Sequence, residues 1–202
     1  PVKPVIRVSG DEEAIRIERK NGPADSEWLN RDLGNLGNVY RMQHRYPEAV
    51  AIIARGLQAL TPTSGAVPVR AYLQYSLALA QLESGDVAAA EKSADQAMQT
   101  GRVAYKDSPL SFGAVQYSSA RVALARKQPA RAESLLRAAA ASQGKLAPGD
   151  PRKVEVQVAL IRALEMQGKH GEADSLRAQV EPVLAASKSP YFADLRKSLD
   201  AH

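Results

Sequence analysis

The sequence predicts an all-α protein built from stacked pairs of helices. The tripeptide Gln74-Tyr75-Ser76 recurs later in the chain as Gln116-Tyr117-Ser118. Small residues recur with almost the same spacing, in the series Ala49, Ala90, Ala132 and Ala173. Apolar residues show helical spacing in two stretches, Leu73, Leu77 and Ala80 in one and Val156, Leu160 and Leu164 in the other. A fixed period of about 40 residues is typical of a repeat architecture, in which neighbouring repeats bury a shared core.

The composition suits closely packed helices. Hydrophobic residues make up 45% of the 202-residue chain but aromatic residues only 5%, and alanine supplies much of the apolar total. Alanine has the highest helix propensity, and its small side chain lets helix axes approach each other. A repeat array of this length would form one continuous unit with about four to five repeats.

Each repeat reads as a helix, a short polar or glycine turn, and a second helix. The turns are expected at 43–45, 84–86, 126–128 and near 168. Residues that break helices separate the repeats, at 61–65, 107–109 and 148–151. We expect an array over 11–189, with units near 28–62, 69–103, 111–145 and 152–187.

The two ends of the chain are expected to differ from the array. Residues 11–22 resemble the second helix of a preceding unit, and residues 1–10 read as a flexible tail. Residues 190–202 predict one further helix, with Phe192, Leu195 and Leu199 on one side. Stacked repeats need a terminal cap whose outer face is polar, and this helix fits that role.

The repeat pattern resembles the tetratricopeptide repeat (TPR). That family places a large apolar residue, a small residue and an aromatic residue in the first helix, and an alanine in the second. Leu36, Gly37, Tyr40 and Ala49 stand at those places in the first unit. The spacing exceeds the family's usual repeat length of about 34 residues and is similar to that of the long-repeat variant in kinesin light chains and many bacterial proteins. The resemblance implies a right-handed α-solenoid of about four TPR helix pairs plus a C-terminal capping helix.

The resemblance also implies a binding trough lined by the first helix of each pair. The residues carried over to its wall are Arg31, Asn35, Asn38 and Arg41 from the first unit, Tyr72, Tyr75 and Leu79 from the second, Tyr117 and Arg121 from the third, and Val158 and Arg162 from the fourth. Tyrosine and arginine are enriched at binding hot spots, so a peptide or protein partner is expected there. Two alternatives remain open. In one, the tyrosines only pack against other side chains of the fold. In the other, the arginines are solvated or paired with Glu165.

No catalytic or metal site is expected. The chain has no cysteine, which excludes disulfides, thiolate metal sites and cysteine nucleophiles. Its histidines, His44, His170 and His202, are too widely spaced to share a metal. No nucleophile, base and metal ligand converge, so the sequence predicts a non-catalytic protein without a cofactor.

The charge and the hydropathy restrict the class of partner. Lys and Arg exceed Asp and Glu by 27 to 22, and the charges are interspersed. This pattern argues against nucleic acid and mildly favours an acidic protein partner. No apolar run is long enough for a membrane span. No signal peptide is visible, and the absence of cysteine suits the cytoplasm and the periplasm equally.

Three roles are compatible with these features. The first is an interaction scaffold. The second is a ligand- or peptide-sensing regulatory domain of a larger signalling, transcription or secretion protein. The chain starts at Pro1 without a methionine, so we expect a trimmed chain, and a catalytic or DNA-binding domain before it would favour this second role. The third is self-assembly, with the apolar and basic segment 1–9 occupying the trough of a neighbour.

Overall fold

The computed structural model of this chain describes residues 27–61 and 66–200, and every regular element in those ranges is a helix. The expected tail at 1–10 and partial unit at 11–22 lie outside these ranges, as does most of the link at 61–65. The helices are α1 Glu27–Met42, α2 Tyr46–Ala59, α3 Val67–Glu83, α4 Val87–Ala104, α5 Pro109–Ala125, α6 Pro129–Ser142, α7 Pro151–Glu165, α8 His170–Ala186 and α9 Pro190–Asp200. The predicted all-α class is confirmed. In the described ranges, no helix has the length and apolar character needed to span a membrane.

The chain divides into two compact units, one ending at Ala104 and the other beginning at Tyr105. We call them the N-terminal unit, with α1 to α4, and the C-terminal unit, with α5 to α9. Within each unit, helices that follow each other in sequence pack against each other, and first helices of successive pairs also touch: α1 contacts α3, and α5 contacts α7. This is the packing of stacked helical hairpins.

A close helix crossing organises the N-terminal unit. A Cβ placed on Gly37 of α1 would lie 2.2 Å from Cγ1 of Ile53 on α2, far inside van der Waals contact. Ile53 and Ala49 are both fully buried at this crossing. The small residue in the first helix and the alanine in the second therefore let the two backbones approach, as the repeat pattern predicts.

In the C-terminal unit, α9 packs on the last hairpin. It contacts both α7 and α8. Phe192 and Leu199 are buried on its inner side, Leu195 is half-buried, and Arg196 and Lys197 are exposed. This polar outer face is the one that a terminal cap requires.

One backbone conformation recurs in all four hairpin turns of the described ranges. The residue with positive φ is His44, Gly85, Lys127 or Gly168, and these positions repeat with the same spacing as the alanines. In each turn, the N–H of the next residue donates to the carbonyl oxygen five positions earlier, as Arg45 does to Tyr40 at 2.9 Å and Lys169 does to Leu164 at 3.0 Å. These are Schellman-type ends, for which glycine is the usual residue because it has no Cβ.

The alanine period follows from the same turn. Each recurring alanine stands five residues after the residue with positive φ, in the first turn of the second helix. Its N–H donates to the residue four positions before it, for example from Ala49 to Arg45 at 3.0 Å. All four alanines are buried. The period therefore records where each second helix begins to pack on the first.

A carboxylate joins α6 to the α7–α8 turn. Glu133 is buried and accepts hydrogen bonds from Arg137 Nε at 2.9 Å, Gln167 Nε2 at 2.7 Å and Lys169 Nζ at 2.6 Å. The hydrogen bond from Lys169 is the chief cause that lowers the pKa of Glu133 from 4.5 to about 2. Arg137 also pairs with Glu172 of α8 at 2.6 Å. The network holds the two hairpins of this unit in register.

Candidate binding surfaces

A hydrogen-bonded cluster of polar side chains spans α1 and α3. Asn38 Nδ2 donates to the Tyr72 hydroxyl at 2.9 Å and lies 3.3 Å from Oγ of Ser76. The Tyr72 hydroxyl donates to Asn35 Oδ1 at 2.7 Å. The residues are one helical turn apart on α1 and on α3, so the packing of these two first helices aligns them.

Tyr75 extends the cluster along α3. Its ring meets the Tyr72 ring edge-on, with centroids 5.4 Å apart. The Tyr72 ring itself lies on Gly34, where an added Cβ would be 2.5 Å from Cε1. We call Asn35, Asn38, Tyr72 and Tyr75 the tyrosine–asparagine face.

This face keeps hydrogen-bonding capacity for a ligand. Oδ1 of Asn38 has no partner among the described residues, and Nδ2 of Asn35 has only Asp32 Oδ1 at 3.5 Å. One acceptor and one donor are thus left on neighbouring turns, the pair that a peptide group needs. Burial is the main cause that raises the pKa of the Tyr72 phenol, so its hydroxyl stays neutral.

The residues that flank this face differ in accessibility. Arg31 is exposed, and its guanidinium lies 4.3 Å from the ring centroid of Trp28, which is 64% exposed. Arg41 is half-buried, and its Nη1 pairs with Glu83 Oε1 at 2.7 Å. Arg31 therefore stands open to a ligand, whereas Arg41 is already held by a carboxylate of α3.

Sequence reasoning overlooked Trp28. It is the single tryptophan of the chain, three residues before Arg31 and seven before Asn35, which places it on the same side of α1. Tryptophan is enriched at binding hot spots, so its exposure here is informative. The helical spacing back from Arg31 was the signal that could have identified it.

The first helices of the C-terminal unit carry arginines. Arg121 Nη1 donates to the Tyr117 hydroxyl at 3.0 Å, and its guanidinium lies 5.8 Å from the centroid of that ring. Arg162 of α7 is exposed, and its guanidinium has no hydrogen bond or ion pair among the described residues. Glu165, which sequence reasoning offered as its partner, pairs instead with Arg177 at 2.5 Å.

The structure separates the candidate residues by burial. Leu79, Tyr117 and Val158 are only 5%, 7% and 8% exposed, so they present little surface to a ligand. Their side chains belong to the core because hairpin packing closes over those positions. Four other candidates, which form the tyrosine–asparagine face, lie next to one another in the N-terminal unit. The binding role of all eleven candidates stays a prediction.

The described residues do not assemble an evident catalytic centre. No group of three or more His, Cys, Asp or Glu in 27–61 and 66–200 could hold a metal ion. The strongly acidic carboxyl of Glu133 is occupied by three donors within the fold. His44 contacts Tyr46 through Nδ1, 2.7 Å from its hydroxyl, with no carboxylate in that contact.

Comparison with known proteins gives matches in structure. No protein-family model matches the chain, and no curated protein matches it in sequence. A crystal structure of nearly identical TPR-like repeats, from a Podosopora anserina protein assigned as a kinesin light chain, matches with a TM-score of 0.61 and 25% identity, covering 90% of this chain and 88% of that one. A variant of those repeats matches with a TM-score of 0.63 and 25% identity, over 88% and 85% of the two chains.

This chain is a TPR-like repeat protein. A third similar structure, BtubC (BKLC) from P. vanneervenii, has a TM-score of 0.66 and covers 88% of this chain and 72% of its own. Its 16% identity supports the fold alone. The α-solenoid class and the similarity to long-repeat, kinesin-light-chain-like arrays are confirmed. A TPR-like repeat fold indicates a protein-interaction scaffold.

Proposed function

We propose that this TPR-like repeat protein is a non-catalytic interaction module that binds a peptide segment of a protein partner on the tyrosine–asparagine face. The observation that carries the proposal is the bonded set Asn35, Tyr72 and Asn38, which joins two successive first helices. The set fixes its side chains before a ligand arrives, so less conformational entropy is lost on binding.

The chemistry of the face suits an extended peptide. The Asn38 oxygen can accept from a main-chain N–H, and the Asn35 amide can donate to a main-chain carbonyl. Tyr75 offers a half-buried aromatic surface beside them, against which an apolar side chain can pack. Trp28 and Arg31 extend the surface along α1.

The C-terminal unit supplies a different chemistry. Arg162 is exposed and Arg121 is half-buried over Tyr117, so carboxylates of a partner can pair with them. We assign these arginines a secondary role, because neither belongs to a bonded set as extensive as that on α1 and α3.

Site-specific photo-crosslinking tests the proposal. A photoreactive amino acid replaces Asn35 of α1 in the intact chain, and in a matched variant it replaces Gln58 of α2, which is also exposed. We expect cells of the source organism to yield a protein adduct from position 35 that position 58 does not give. The same adducts from both positions, or an adduct from position 58 alone, would contradict the assignment.

Trp28 provides a second readout for a captured partner. Trp28 is the only tryptophan of the chain and lies on the same side of α1 as Asn35. The binding of a partner that lacks tryptophan can therefore be followed by the fluorescence emission of Trp28. We expect a saturable emission shift that disappears when Tyr75 is replaced by alanine. A shift that survives Tyr75→Ala would place the partner elsewhere on α1.

A further inference from the structure

Trp28 and Arg31 form a stacked pair in the N-terminal part of α1. The Arg31 guanidinium lies 4.3 Å from the centroid of the Trp28 ring. Both side chains reach the solvent, since Arg31 is exposed and Trp28 is 64% exposed. A guanidinium that stacks on an aromatic ring uses its flat face, so its N–H groups stay available in the plane of the group. The pair therefore presents oriented donors to a ligand.

The charge of Arg31 is not compensated within the described part of the chain. Its guanidinium has no hydrogen bond or ion pair there. The carboxylate of the next residue, Asp32, lies 3.5 Å from Asn35 Nδ2 and makes no ion pair with Arg31. Arg41 of the same helix differs, because it already pairs with Glu83 at 2.7 Å. Arg31 is therefore the cation of this face that an anionic group can reach.

The spacing along α1 sets the place of this cation relative to the tyrosine–asparagine face. Trp28, Arg31 and Asn35 follow one side of the helix. A rise of about 1.5 Å per residue puts Arg31 about 6 Å from Asn35 along the axis, and Trp28 about 10 Å from it. The three side chains thus form a row that continues the face toward the start of α1.

An extended peptide bound to Asn35 would reach Arg31 at a defined point of its own sequence. Such a chain advances about 3.3 Å per residue, so Arg31 lies about two residues from the peptide group at Asn35, and Trp28 about three. Side chains two residues apart in an extended chain point to the same side. A residue that directs one side chain to the face can therefore be followed by another that meets Arg31.

The charge of the N-terminal unit favours a single carboxylate over a polyanion. Up to residue 104 the sequence has 12 basic and 12 acidic residues, so this unit has no excess of positive charge. Nucleic acids need many phosphate contacts, and anionic membranes attract clusters of basic residues. One guanidinium beside uncharged asparagine and tyrosine side chains suits one carboxylate of a polypeptide.

Trp28 indicates that this carboxylate belongs to a side chain. The indole ring lies beyond Arg31 when the row is followed from Asn35. A peptide that ended in its terminal carboxylate at Arg31 would leave the ring uncovered. A chain that continues past Arg31 can pack an apolar side chain on the ring, and tryptophan is the residue most suited to such a contact.

We propose that Arg31, stacked on Trp28, is a specificity subsite that selects an Asp or Glu side chain about two residues from the peptide group that Asn35 binds. The subsite rests on the proposed function, because it extends the same face. The carboxylate pairs with the in-plane N–H groups of the guanidinium. The ring contact holds that group before the ligand arrives, which reduces the entropy lost on binding.

Selection from a displayed library of random peptides tests the subsite on the intact chain. The parent is compared with Arg31→Gln and with Arg102→Gln, which removes the same charge from an exposed position on α4 of the same unit. We expect the parent and Arg102→Gln to enrich an acidic residue at a constant spacing from an apolar residue, and Arg31→Gln to lose that enrichment. The melting temperature of each variant verifies its fold.

Charge exchange then tests the contact itself. Selected peptides are synthesised with an amidated C-terminus, which removes the terminal carboxylate, and are titrated by fluorescence anisotropy. We expect Arg31→Glu to bind the acidic peptide about tenfold more weakly than the parent does. Replacing the acidic residue of the peptide by lysine should restore binding to Arg31→Glu to within about threefold of the original pair. A merely structural role of Arg31 would give no such rescue.

The outcomes separate the subsite from the proposed function. Peptides that need Asn35 and Tyr75 but show no preferred acidic position would overturn the subsite alone. Peptides that bind equally well to Asn35→Ala with Tyr75→Ala, or a library without binders, would overturn the proposed function as well. Equal losses for Arg31→Gln and Arg102→Gln, loss of binding on amidation, or tighter binding of a single-stranded oligonucleotide would also contradict the subsite.

Discussion

Asn38 of α1 donates a hydrogen bond to the hydroxyl of Tyr72 of α3, with 2.9 Å between Nδ2 and the hydroxyl oxygen. The bond joins the first helices of two successive hairpins. The same hydroxyl donates to Asn35, so one phenol orients two amides on neighbouring turns. The tyrosine–asparagine face is therefore a built surface, and its parts should be coupled energetically.

A double-mutant cycle measures this coupling. We expect Tyr72→Phe to lower the free energy of unfolding by about 1 kcal/mol, because two amide groups lose a partner. Asn38→Ala should cost a similar amount, and the double variant should cost less than the sum. Chemical denaturation provides the four values. Fully additive losses would show that the hydrogen bond does not form in solution.

The helix crossing at Gly37 should tolerate no side chain. Gly37→Ala places a Cβ against Ile53, so we expect it to lower the free energy of unfolding by about 1–3 kcal/mol. The control is Gly171→Ala in α8, where an added Cβ meets nothing within 4 Å. That change should raise stability by up to about 1 kcal/mol because alanine favours helix. Similar stability for the two variants would contradict the close crossing.

The stability of the fold should change in opposite directions when glycine is removed from one hairpin turn and when it is introduced into another. Gly85→Ala introduces a Cβ at a φ of 92°, so we expect a loss of about 1 kcal/mol. Lys127→Gly removes the Cβ from a residue with a φ of 58°, so the free energy of unfolding should rise by up to about 1 kcal/mol. Thermal unfolding of both variants tests this. A lower midpoint for Lys127→Gly would show that its backbone is not strained.

The Glu133 network should fail in acid. Its folded pKa of about 2 lies below the ordinary value of 4.5, so its stabilisation is complete above pH 4.5 and is lost as pH falls toward 2. We expect Glu133→Gln to be less stable than the parent by about 1–3 kcal/mol at neutral pH, since it leaves Lys169 without its carboxylate and Arg137 with only that of Glu172. The difference should shrink below pH 4.5. A difference independent of pH would mean that the carboxylate is not the stabilising group.

The sequence allowed the helical hairpins and their register to be predicted, because backbone packing leaves a periodic signal. The alanine period marks the first turn of each second helix, and Gly85 and Gly168 mark two of the turns. His44 and Lys127 occupy the other two turns without that signal. Their conformation is imposed by the hairpin, against the preference of the residue.

Side-chain exposure could not be predicted in the same way. Tyr75 and Tyr117 share a register, yet Tyr75 is half-buried and Tyr117 is buried with Arg121 against it. Exposure depends on neighbouring side chains from other helices, and the repeat period does not encode them. Trp28 was overlooked for the same reason, because its exposure is set by the packing around α1.

The affinity of a captured partner for variants of the tyrosine–asparagine face tests the central claim most directly. Calorimetric titration compares the parent chain with Asn35→Ala combined with Tyr75→Ala, and with the matched change Gln58→Ala on α2. We expect the double variant to bind about tenfold more weakly or worse, and Gln58→Ala to bind within about twofold of the parent. Unchanged affinity in the double variant, with its fold intact, would contradict the assignment of this face as the working surface.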